Sequence, residues 1–351
     1  MNWLRENSLK KIFRGRALYT EEDKIWVAKG MSFWGIDYNG KKITQKYKIG
    51  GLKQKVLSVF RPTRQLFREG IHHLVPMKNG NFFVVTKKKA YTVGGDGKVK
   101  YVFSGYRGNK PGHQGVCVTS KGDVFFAEYT LNPNRDHDTV LYRSTNGGES
   151  FDPILTLLKN QVRHMHFIKY DPYEKCLWLG TGDKDFECKL MRSFDNGDSW
   201  ETVGEGCQDW RAIGVCFTKE YLIWGTDAGS VPDQNKIIRM NRKTCEIEII
   251  KDVEGPCHGC ASFMDGRVFV STGVEGGENE QDRFSRLKQV VDKRIEDVFI
   301  LKKDMFPLIL QYGVMRFPLG TENTKRVIFT AMGLKKGGEI VYGEEETNGI
   351  Q

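Results

Sequence analysis

Along most of the chain, short runs rich in Val, Ile, Phe, Tyr and Trp alternate apolar with polar positions and are broken by Gly, Asn and Asp. Alternation with a period of two puts successive side chains on opposite faces, and predicts β-strands joined by tight turns. The runs also recur. GIHHLVPMKNGNFFVVT from Gly70, HQGVCVTSKGDVFFAEY from His113 and HMHFIKYDPYEKCLWLGTGD from His164 share one pattern. So do RAIGVCFTKEYLIWGTD from Arg211, HGCASFMDGRVFVSTG from His258 and YGVMRFPLGTENTKRVIFTAMG from Tyr312. These six starts are spaced by 43, 51, 47, 47 and 54 residues, and a more degenerate copy begins at Ala17. Four strands in about 40–50 residues is the size of one propeller blade.

The fold expected is all-β: one seven-bladed β-propeller domain over residues 1–351, with six blades as the alternative. The blades fall near 16–50, 70–103, 113–158, 164–203, 211–250, 258–303 and 312–345. The last copy is short of a strand, which residues 8–14 would supply, closing the ring and hiding its sheet edges. One segment departs from the β rhythm. Over 278–297, Phe284, Leu287, Val291 and Ile295 stand at helical spacing, which predicts a helical insertion.

Composition narrows the classes. The 351 residues include 39 glycines, which suits many hairpin turns, and no apolar run of about 18 residues that would span a membrane. Residues 1–15 are basic but lack the apolar stretch of a secretory signal, and eight cysteines are too few for a disulfide scaffold. These features predict a cytoplasmic protein with reduced thiols, including the Cys257-x-x-Cys260 pair as core residues. Lys and Arg exceed Asp and Glu by 54 to 44, a net charge of +10. The basic residues are scattered, so no nucleic-acid partner is expected; an acidic ligand is compatible. No phosphate-binding glycine loop or G-x-S-x-G elbow occurs.

Two turns carry a more specific pattern. Ser193-Phe-Asp195-Asn-Gly197-Asp-Ser199-Trp200 fits S-x-D-x-G-x-[ST]-W, and Ser144-Thr-Asn146-Gly-Gly148-Glu-Ser150-Phe151 is a looser copy 49 residues earlier. An Asp or Asn bonding the turn backbone, a Gly at positive φ and a plugging aromatic make a hairpin clasp. The chain therefore resembles the BNR/Asp-box propellers of sialidases and other carbohydrate-active proteins. In that family the box is structural and lies away from the active mouth. The sialidase catalytic set is not matched: Phe60-Arg61-Pro62 is a partial echo of its (F/Y)RIP motif, and no Tyr/Glu pair is placed. The resemblance thus implies fold and substrate class rather than a borrowed mechanism.

In a propeller the starts of the innermost strands converge on one mouth of the channel. Six of the seven histidines lie at such starts: His72, His73, His113, His164, His166 and His258. Candidate catalytic groups are His113, His164, His166, Asp183, Asp227 and His258, because imidazoles and carboxylates transfer protons near neutral pH. Arg163, Gln208, Trp210, Arg211, Arg316, Glu128 and Glu187 are candidate substrate-binding residues. The arginines suit a carboxylate or sulfate, and Trp210 a sugar face. A divalent metal held by His113, His166, Gln208 and His258 is a further candidate, similar in kind to the site of the propeller-fold oligogalacturonate lyases. These residues predict an enzyme cleaving an acidic oligo- or polysaccharide, by hydrolysis or by uronate elimination. The alternative is a non-catalytic propeller that binds a glycan or a protein.

Overall fold

The computed structural model describes residues 9–229, 235–277, 280, 282–335 and 339–343. Among them are seven four-stranded antiparallel sheets, and the protein is an all-β propeller. The fourth sheet is typical: Met165–Asp171, Cys176–Thr181, Lys189–Ser193 and Glu201–Glu205 pair in chain order from the inside outward. The innermost strands of the seven sheets are Arg16–Thr20, His73–Pro76, Val116–Val118, Met165–Asp171, Cys216–Phe217, Cys257–Ser262 and Val314–Arg316. Parallel bridges from Gln114 to Phe167 and from Tyr19 to Leu319 join inner segments of neighbouring sheets. The strand Leu9–Arg14 pairs antiparallel with Glu339–Gly343, so the N-terminal strand forms the outer edge of the last sheet.

Burial explains the sequence pattern. Second strands such as Phe82–Thr86 are buried throughout, whereas the fourth strand of the same sheet, Val99–Phe103, is mostly exposed. Strands covered by neighbouring sheets on both faces read as apolar runs, and outermost strands such as Asp152–Leu157 and Ile247–Asp252 are partly or wholly exposed along their length. Within the first sheet Phe33 stacks on its cross-strand partner Tyr47 with centroids 4.7 Å apart, and towards the second sheet Trp26 meets Phe82 edge-on at 4.7 Å. Truncating one such buried ring to Ala would cost about 3–5 kcal/mol.

The helix predicted over 278–297 is not one. Its described part forms a hairpin, Phe284–Val291 with Arg294–Lys302, turning at Asp292, which has φ 53°; residues 278, 279 and 281 lie outside the described set. A buried charge disguised the strand. Lys288 is fully buried, and its ammonium is satisfied by Asp297 at 2.7 Å and Glu254 at 2.9 Å. Two short helices connect the first and second sheets: α1 (Leu52–Leu57) and α2 (Arg61–Phe67). Arg68 closes α2 in the left-handed conformation, and its carbonyl accepts a hydrogen bond from His72 Nε2 at 2.9 Å.

At 193–200, Asp195 accepts from Ser193 Oγ and Ser199 N, both at 2.8 Å, and Trp200 Nε1 donates to the Gly197 carbonyl at 3.0 Å. Asn146 plays the same part in the 144–151 turn, accepting from Ser144 Oγ at 2.9 Å and Ser150 N at 3.1 Å. Both turns join a third strand to a fourth, at the outer side of their sheets. All eight cysteines are free, and no described helix is long and apolar enough to cross a membrane.

Candidate functional site

In an antiparallel pair, the start of the first strand lies beside the end of the second. Met165 faces Thr181 and Cys257 faces Thr272, so residues just past the second strands return to the mouth where the inner strands begin. Asp183, Asp227 and Glu275 occupy that place in three consecutive sheets. Glycine shapes two of these returns. At Gly182 (φ 81°) a Cβ would lie 2.0 Å from the Glu187 carbonyl oxygen, and at Gly273 it would lie 2.0 Å from His258 Cδ2.

One arc of the mouth pairs carboxylates with imidazoles and guanidinium groups. Arg163 Nη1 donates to Asp183 Oδ2 at 2.5 Å, and Arg211 Nη2 donates to Oδ1 at 3.0 Å. His164 Nε2 and His166 Nε2 each stand 3.3 Å from the same Oδ1. Burial alone would raise the Asp183 pKa; the two histidines outweigh it and hold the carboxyl far below the usual range. His164 Nδ1 bonds the Thr130 carbonyl at 2.8 Å, and its ring stacks on Tyr129 at 3.9 Å between centroids. Tyr129 is raised above the usual phenol value, by burial and by Asp183 and Asp227, so it stays a neutral proton donor.

Beside this group, His258 Nε2 lies 2.8 Å from Glu275 Oε1. Asp227 completes a cluster whose donor atoms all fall within 4.8 Å of one another. Burial lowers His258, but the Glu275 charge and hydrogen bond, with Asp227, carry it up to about 8. The two carboxyls respond in opposite directions. Asp227 is raised by burial, against the pull of His258 and Arg211. Glu275 is lowered, because the His258 charge overcomes its burial.

The opposite arc is cationic. Arg16, His72, His73, Lys110, His113 and Arg316 come from the first, second, third and last sheets and their leads. With His72 Nε2 donating to Arg68, its Nδ1 is left to accept from Arg16 Nη1 at 3.2 Å. His113 Nε2 is buried without a partner. Burial, then the Arg316, His73 and Lys110 charges, hold His113 neutral. Lys110 is likewise depressed by burial and by Arg316 and Arg16. Burial and the Arg316 charge bring Arg16 down to about 9. Burial brings Arg316 down to about 10. Among the described residues neither Arg16, Lys110 nor Arg316 forms an ion pair with a carboxylate, and the positive charge of this arc rests on the two guanidinium groups, since burial works against charge on the Lys110 amine and the histidines. The far end of the channel holds a separate cavity of about 320 Å³, lined in part by Val75, Val116 and Ile168 and by the titratable side chains of Lys78, Lys169 and Glu322.

The structure thus brings together His164, His166, Asp183, Arg163, Arg211, Asp227 and His258, with His113 and Arg316 on the opposing arc. Other candidates have different work. Glu128 caps backbone, accepting from Arg107 N at 2.6 Å and Val140 N at 2.9 Å. Glu187 braces the 183–187 loop through the backbone N–H groups of Arg163, Asp183 and Lys184, and pairs with Arg135. Gln208 Nε2 is spent on Asp185 Oδ1 at 2.7 Å and the Asp183 carbonyl. Trp210 stacks on the buried Trp224 at 5.8 Å, as part of the core. The expected metal set is not brought together: His113, His166 and His258 do not fall in one cluster of donor atoms among the described residues. The sets that do offer converging donors are His164–His166–Asp183 and Asp227–His258–Glu275. Glu275 was not singled out in the sequence, although it follows VFVST as Asp183 follows LWLGT and Asp227 follows LIWG.

No family model and no curated protein matches the chain. Among solved structures, a streptogramin B lyase superposes with TM-score 0.57 at 15% identity, over 95% of this chain and 96% of its own. A catalytically inactive histidine-to-alanine variant of virginiamycin B lyase from Staphylococcus aureus, with quinupristin, gives TM-score 0.60 at 14% identity, over 95% and 98%. The WD40 domain of Neurospora crassa Pan2 gives 0.54 at 10% identity, over 97% and 91%. The likeness is one of fold. Enzymes and a WD40 domain are matched about equally well, so the chemistry has to be argued from the mouth itself.

Proposed function

We propose that the protein is a carbohydrate-active enzyme that cleaves an acidic oligo- or polysaccharide at this mouth. We count each sheet as one blade, making a ring of seven, and place the chain beside the BNR/Asp-box propellers on its 144–151 and 193–200 turns. The observation that carries the function is Asp227 and Glu275 flanking His258 with proton affinities driven apart. Two carboxyls of opposite tendency are what glycoside hydrolysis needs. Asp227 gives its proton to the glycosidic oxygen as the C1–O bond breaks. Glu275, whose oxygen lies within 4.8 Å of that of Asp227, attacks C1 to form a glycosyl ester, and water deprotonated by Asp227 then displaces Glu275 from C1. His258 holds the pair in register.

A second reading rests on His113. Its neutral, unpartnered Nε2 beside Arg316 suits abstraction of a uronate C5 proton. The C4–O bond then breaks, C4=C5 forms, and Tyr129 or the His258 imidazolium protonates the leaving oxygen. The cationic arc would hold the uronate carboxylate and the charge that develops on it.

A panel of uronate-containing and sulfated oligosaccharides separates the outcomes. Hydrolysis releases reducing ends without ultraviolet absorbance, and elimination gives unsaturated, absorbing products. Binding without either product leaves a glycan-binding propeller. No product, together with an affinity that Glu275→Gln does not alter, removes the mouth as the site.

A further inference from the structure

Outside the channel, α2 packs across the entry to the first sheet and leaves a crevice of about 340 Å³, lined by Arg14, Arg16, Lys29, Arg61, Arg64 and Glu69. Five cationic side chains there face one carboxylate. Arg61 is already neutralised: it donates to Asp304 at 2.6 Å and to Gln311 at 2.8 Å, and lies over the Phe306 ring. Arg14, Lys29 and Arg64 form no ion pair among the described residues. Arg16 reaches only the Ile71 carbonyl, at 2.9 Å, and the His72 ring. Burial depresses Arg64, and the Arg61 and Arg14 charges depress it further, so the repulsion within the crevice is not relieved by the protein.

Unpaired guanidinium groups held together in a half-enclosed space are costly unless an anion completes them. The crevice volume suits a small molecule rather than a duplex or a bilayer, which take flat or extended basic surfaces. Guanidinium forks match tetrahedral oxyanions through paired N–H donors. We propose that this crevice binds a small doubly charged oxyanion, the phosphate or sulfate group of a monoester, between Arg14, Arg64 and Arg16. Arg16 also faces the cationic arc of the channel, so an anion here offsets charge that Lys110 and Arg316 feel. The proposal does not depend on the cleavage chemistry.

Calorimetric titration of the full chain with inorganic phosphate and with sulfate tests it. Saturable binding is expected, weakened tenfold or more by Arg64→Gln and by Arg14→Gln, and little changed by the channel variant Lys110→Gln. Both crevice arginines keep solvent exposure, and melting curves of the variants check that the fold is intact. A sugar phosphate and a sulfated monosaccharide, titrated in parallel, assign the ester by which binds tighter. Absence of saturable heat overturns the proposal. So does binding that is lost in Lys110→Gln but kept in Arg64→Gln, which would put the anion in the channel.

Discussion

His258 shows how one contact sets both charge and stability. Its folded pKa is about 8, against about 6.5 when unfolded. A raised pKa gives stability that is fully present below about 6.5 and lost as pH rises through about 8. The shift is worth about 2 kcal/mol. Urea melts at pH 6.5 and pH 9 isolate it by comparison with His258→Gln: the stability lost between the two pH values should be greater in the wild type than in the variant by up to about 2 kcal/mol, the other groups acting alike in both. Parallel curves would deny the ion pair. His72, His73 and His113 act in the opposite sense: their depressed values give stability present above about 6.5 and lost as pH falls. The histidines were conspicuous in the sequence because strand starts have no packing need for them. Arg16 and Lys110 were not, since a lone cation reads as a solvated surface group until the ring closes over it. Glu275 escaped because Gly273-Val274 precedes it where Gly-Thr-Asp marks Asp227.

At the scale of the element, strand alternation and turn residues were legible because covered inner strands tolerate almost nothing but apolar residues. The Phe284–Val291 strand broke that rule by burying Lys288 against Glu254 and Asp297, partners that a local window cannot see. The pairing of Leu9–Arg14 with Glu339–Gly343 matters most for the ring, since it covers an edge that could otherwise recruit a second chain. Removing residues 1–14 should therefore cost on the order of 3–5 kcal/mol, from five lost ladder positions at about 1 kcal/mol per hydrogen bond. The truncated chain should also self-associate. Denaturant melts and size-exclusion chromatography would show both effects; an unchanged monomer of unchanged stability would mean the strand is dispensable.

Over the whole molecule, the propeller brings groups some 50 residues apart in sequence to one mouth and sorts them by charge. Asp183, Asp227 and Glu275 lie on one arc, and Arg16, Lys110 and Arg316 face them. The net charge of +10 conveys little of this, because the arginines first suited to an anion, Arg163 and Arg211, are both engaged by Asp183. Charge available to a substrate belongs to the opposite arc. The cleavage proposed for this mouth requires a protonated Asp227 beside an ionised Glu275. The decisive measurement is the turnover of a cleaved acidic saccharide by Asp227→Asn. The geometry predicts a loss of about 10²–10⁴ in kcat with saccharide affinity and fold preserved. A variant within about twofold of wild type would contradict an acid–base role for this carboxyl.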